Sequence, residues 1–156
     1  MLTPRLRAIL VGGGIAGICD ISYACGFWAL RGAAPSRVLQ SVASGLLGAN
    51  AFDGGATTAA LGLALHFLIA LLFAAAFVLA SERIEILARR AILCGAIYGF
   101  LIFWLMNLVV LPLSAFPRKV SFAPAATISG LLVHTFLVGV PIALAARRAV
   151  PRQARA

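Results

Sequence analysis

Four long, mainly apolar runs constrain this chain more than anything else in it: residues 8–30, 56–80, 91–113 and 125–146. A helix needs about 20 such residues to cross the hydrocarbon core of a bilayer. Arg, Pro, Gly or acidic residues bracket each run, and none shows the strand alternation of a membrane barrel. The expected fold is all-α: an integral membrane four-helix bundle, one multi-pass domain over residues 1–156.

Composition supports that reading. Hydrophobic residues make up 63% of the 156 and charged residues 11%, whereas a soluble domain carries about 25% charged residues. Too little polar surface is left to face water all round, so the expected partner is the lipid bilayer. The net charge of +9 invites a nucleic-acid reading, but the basic residues sit at the ends of apolar runs and not on one face among aromatics. They act as topology determinants. Arg5, Arg7, Arg83, Arg89, Arg90, Arg147, Arg148, Arg152 and Arg155 gather on one side, and Arg31, Arg37, Arg118 and Lys119 on the other. That imbalance places both termini in the cytoplasm. Phe27, Trp28, Phe52, Phe116 and Phe122 then form an aromatic belt at the outer boundary.

Arg5 and Arg7 before an apolar stretch resemble a secretory leader, but Asp20 and Tyr23 break the pattern, so an uncleaved first span is expected. Cys19, Cys25 and Cys94 are odd in number and lack metal-binding spacing, which suggests small apolar thiols. Gly12 to Gly17 imitates a dinucleotide loop, with no strand or ribose-binding acid to frame it. No serine lies in a nucleophile elbow, and no enzymatic activity is expected. Pro112 and Pro141, near span ends, should terminate or bend their helices.

Between the first two spans, Val38, Leu39, Val42, Leu46 and Ala49 recur at helical spacing, with Arg37, Gln40, Ser41 and Ser44 largely opposite. A short interfacial helix over residues 36–50 is expected. The alternative is a re-entrant segment lining a cavity, which Gly45, Gly48 and Gly54-Gly55 would permit.

The chain also repeats itself. Gly62-Leu63-Ala64-Leu65-His66 returns as Gly130-Leu131-Leu132-Val133-His134, around the two histidines of the sequence. Arg7-Ala8-Ile9-Leu10-Val11-Gly12 returns as Arg90-Ala91-Ile92-Leu93-Cys94-Gly95. The matches keep their order, as two similar hairpins in parallel repeat would; convergence in a restricted apolar alphabet is the alternative. Spans two and four would then lie diagonally, with His66 and His134 facing each other across the bundle axis.

Counted from the span ends, Asp20, His66 and His134 all fall roughly 14–15 Å below the outer boundary. Asn107 and Tyr23 lie somewhat nearer it. Gly13, Gly17, Gly62 and Gly130 flank these residues and allow close helix packing. Ionisable groups at such depth are costly and mark ion paths by default. Three uses are open. Asp20, His66, His134, Asn107 and Tyr23 could form a proton relay or polar centre of a small transporter. His66 and His134 could be axial ligands of haem b, or join Asp20 around another metal, with no other cofactor expected. Or the polar groups could simply satisfy one another inside a structural or accessory subunit, associating with itself or a partner membrane protein through glycine faces.

The glycine-rich first span, Gly12 to Gly17, and His66-Phe67-Leu68-Ile69-Ala70 with Phe73, Ala74 and Phe77 resemble the small four-span bacterial inner-membrane proteins of the YagU-like type. The resemblance covers about half the chain and implies architecture and a bacterial inner membrane. No activity is settled for that family, so it implies none here.

Overall fold

In the computed structural model, which describes residues 2–149, the chain is mainly helical, with no strand among those residues. Four helices are long and apolar enough to cross a membrane: Pro4–Ala29, Gly55–Ser81, Ala91–Leu113 and Pro124–Ala149, here the first to fourth spans. Arg152 and Arg155, counted above on the basic side, lie outside the described residues.

Local chemistry sets the helix ends. The first span opens with Thr3 as N-cap, its hydroxyl accepting from the Leu6 N–H at 3.2 Å, followed by Pro4. Pro35 and Pro124 likewise sit in the first turn of their helices, where the missing N–H is no loss. The crosspiece helix Pro35–Leu47 stops at Gly48, whose φ of 61° favours glycine.

The spans are apolar all round, as helices bathed in lipid are. Ile18, Leu68, Leu72, Ile97, Leu101 and Leu132 all point outward and are exposed. Packing inside the bundle relies on small residues. A Cβ at Gly13 would come within 3.0 Å of the Leu71 Cα, and one at Gly12 within 3.2 Å of the Ile142 Cα. At Gly99 it would overlap the His134 carbonyl, and at Gly139 the Gly95 carbonyl. These backbones touch, so the glycines are taken up within the chain.

The first span packs against the second and fourth, and the third against the fourth. The second and third meet through Tyr98, whose hydroxyl donates to the Phe73 carbonyl at 2.9 Å and whose ring lies 4.9 Å from that of Phe77. Toward the arginine-rich end the interior is solid, built on Ala74, Phe77, Val78, Ile142 and Ala146. There Arg5 grips Glu82 through two 2.7 Å bonds, tying the start of the first span to the end of the second.

At the opposite end the crosspiece bridges the second and third spans. Leu39 rests on Gly62, Gln40 donates to the Gly55 carbonyl at 3.0 Å, and the Gly45 carbonyl accepts from Ala115 N–H at 2.9 Å. The helix expected from the sequence is present, with Val38, Leu39 and Val42 half-buried and Arg37 exposed. Gln40, Ala43 and Ser44 are buried while Leu46 and Leu47 are exposed. Gln40 turns inward because the Gly55 backbone offers it a hydrogen-bond partner, and Ser44 satisfies its hydroxyl on the Ser41 carbonyl of its own helix.

Pro112 stands one residue before its helix ends at Leu113, as expected, whereas Pro141 does not end its own. The third span passes into a π-helical stretch, Met106–Val110, and the fourth into another, His134–Gly139. Pro112 and Pro141 follow them and have no N–H for the carbonyls of Leu108 and Leu137. The fourth helix does not stop or break at Pro141 but continues to Ala149. A widened turn absorbs the proline, as is common near functional sites.

Candidate functional site

The first, second, third and fourth spans and the crosspiece together line a half-open cavity of about 450 Å³. Its polar lining is Asp20, Ser41, His66, Asn107, Ser114 and His134. The remaining wall is apolar, including Ile69, Phe73, Ile102, Met106 and Val138. By helical rise Asp20 lies about 14 Å from its span's end at Ala29, His66 about 16 Å from Gly55 and His134 about 15 Å from Pro124. The structure therefore places one residue from each of three spans at one level, with Asn107 nearer the crosspiece.

The two histidines reach that level differently. His66 Nε2 lies 2.9 Å from the Gly17 carbonyl on the first span. Close approach allows it: a Cβ at Gly17 would stand 2.9 Å from the Phe67 ring. His134 instead turns Nδ1 onto the Gly130 carbonyl of its own helix, at 2.9 Å. Its ring stacks edge-on against Phe103, 5.5 Å between centroids, and Phe103 is also the residue that fills the space over Gly130. The same nitrogen is 3.7 Å from Asp20 Oδ1, close enough for an ion pair once the ring is protonated but too far for a hydrogen bond. Asn107 donates its amide to the Phe103 carbonyl at 2.8 Å.

Two sequence expectations are corrected. Tyr23 does not join the cavity wall; its hydroxyl donates to Ser129 on the fourth span, one turn beyond the polar layer. Asp20, His66 and His134 do not form a three-ligand metal set: among the described residues no three His, Cys, Asp or Glu side chains gather closely enough to hold an ion. The reason is visible in the partners, since Gly17 draws one imidazole away and Gly130 the other. Haem ligation through Nε2 of both histidines would require His66 to release Gly17. The three cysteines are free thiols, partly buried.

Sequence reasoning missed Ser41, Ser114 and the glycines Gly95, Gly99 and Gly139. The π-helical turns were missed too, although a signal existed: each proline follows the polar residue of its span by one to two turns. Comparison with protein-family models, curated proteins and solved structures finds no match for the chain.

Proposed function

We propose that this multi-pass membrane protein binds a small solute midway across the bilayer and moves it in step with protons. The observation that carries the reading is the single cavity shared by Asp20, His66, His134 and Asn107. A carboxylate and two imidazoles in an apolar interior are expensive to maintain, and such groups line ion and substrate paths. Asp20 and His134, 3.7 Å apart, are the pair between which a proton and its charge would be exchanged. The solid interior toward the arginine-rich end would form the barrier in this conformation. The basic residues favour a bacterial cytoplasmic membrane with both termini inside. An accessory role through glycine faces draws less support, because Gly13, Gly17, Gly62 and Gly130 are already packed within the chain.

The test is proton movement in liposomes holding a pH-sensitive dye, with candidate solutes outside. Asp20→Asn should abolish solute-dependent proton movement and His134→Ala should reduce it. Movement that is unchanged in both variants would reject the reading.

A further inference from the structure

The cavity's polar groups share a property that selects a ligand class. A carbonyl oxygen only accepts, so the ring nitrogen against it must carry the proton. His66 therefore places its proton on Nε2, toward Gly17, and leaves Nδ1 as a bare lone pair in the neutral ring. His134 places its proton on Nδ1, toward Gly130, and leaves Nε2 bare. Asn107 spends one amide N–H on Phe103 and keeps the other, with its side-chain carbonyl unpartnered. Asp20 receives no hydrogen bond, because the nearest donor, His134 Nδ1, is committed elsewhere.

Four acceptors thus stand without donors. Among the described residues no side-chain nitrogen or oxygen is both sealed from solvent and unpartnered, so these atoms open onto free space, and the space their residues line is the cavity. Ser114 already donates to the Leu111 carbonyl at 2.8 Å. Ser41 alone keeps a hydroxyl proton to offer.

We propose that the cavity takes a small apolar molecule carrying a protonated amine, with Asp20 as its counter-ion; the inference rests on reading the cavity as a solute site. An ammonium brings three donors to acceptors that have none and neutralises a carboxylate that the membrane interior disfavours. The hydrocarbon part lies against Ile69, Phe73, Ile102 and Met106, and the volume suits a small organic ligand. A carboxylate ligand would find only the Ser41 hydroxyl and one Asn107 N–H as donors, and would meet the like charge of Asp20. None of Arg31, Arg37, Arg118 and Lys119 lines the cavity to offset that. The ionisable groups sharing the wall with Asp20 are His66 from the second span and His134 from the fourth, while the third span and the crosspiece contribute only Asn107, Ser114 and Ser41.

The experiment uses the full chain in detergent micelles with ¹⁵N-labelled histidine, titrated with 3-phenylpropylamine, 3-phenylpropanol and 3-phenylpropanoate. The amine should move both imidazole resonances and bind about tenfold or more tighter than the alcohol, a preference expected of a matched charge. The carboxylate should leave the resonances in place. Asp20→Asn should erase the amine's advantage. If that variant does not fold, Asn107→Leu keeps the carboxylate and should lower amine affinity several-fold. Equal or tighter binding of the alcohol or carboxylate overturns the amine inference while leaving a solute site; failure of all three to move the histidines overturns both.

Discussion

His66 and His134 end the same five-residue pattern on two spans, yet their surroundings differ. His66 reaches across an interface and fastens the second span to the first through the Gly17 carbonyl. His134 turns back onto its own helix and sits beside Asp20. The first contact is between helices and contributes to assembly; the second settles only a ring orientation. Equal motifs thus produce one mainly structural imidazole and one poised next to the carboxylate. What separates them is the backbone each meets. Gly17 brings a carbonyl within reach of His66, whereas Gly99 presses on the His134 carbonyl and fixes that helix without offering the ring a partner.

Substitutions at those two glycines should break the comparison most strongly. Gly99→Ala forces a methyl into the His134 backbone, which has no rotamer by which to yield. It should destabilise the bundle by about 3 kcal/mol, the upper part of the usual range for overpacking, measured by unfolding in mixed micelles. Gly17→Ala meets the Phe67 ring at 2.9 Å, a side chain that can move. A smaller loss of about 1 kcal/mol is expected, with the His66 imidazole resonance displaced and that of His134 unmoved. Comparable losses at both sites would show that the two interfaces are equally tolerant and remove the distinction.

The histidines themselves should differ next. His66→Leu removes an interhelical hydrogen bond and should cost about 0.6–1 kcal/mol. His134→Leu should leave stability nearly unchanged while reducing proton coupling in liposomes. A larger stability loss for His134→Leu would reverse the assignment. Pro141→Ala restores an N–H to the Leu137 carbonyl, so the π-helical turn should tighten and His134 rotate. The expected readout is a changed His134 resonance and weaker amine binding at little cost in stability. The smallest effect belongs to Arg5→Ala. The guanidinium and Glu82 are exposed, and exposed ion pairs add little; no measurable shift in unfolding should follow, and a clear shift would place that end away from water.

Much of this architecture was legible beforehand for a simple reason. Crossing hydrocarbon demands length and continuous apolarity, and both are properties of the linear string. The depth of Asp20, His66 and His134 followed from the same count, since helical rise is uniform. The crosspiece shows where such reasoning ends. Its periodicity announced a helix but not which side would meet the other spans, because in an apolar solvent leucines have no preference for burial and hydrogen-bonding groups do. Gln40 and Ser44 turn inward for that reason. Tyr23 illustrates the same limit: its place on the helix was computable, whereas its partner Ser129 depended on how close the fourth span came.

The repeat in the sequence also conceals an asymmetry. The first and fourth spans pack closely, but the second and third remain apart except around Tyr98, and the crosspiece bridges them instead.

By itself the sequence determined four helices, their limits and the level of their polar groups, all fixed by the cost of exposing backbone and charge to lipid. Tertiary structure decided which carbonyl each imidazole meets, and therefore which nitrogen carries its proton. That choice depends on glycine contacts and π-helical turns that rotate one helix against another by fractions of a turn. Rotations of that size leave hydropathy unchanged, yet they leave Asp20 without a donor in an open cavity.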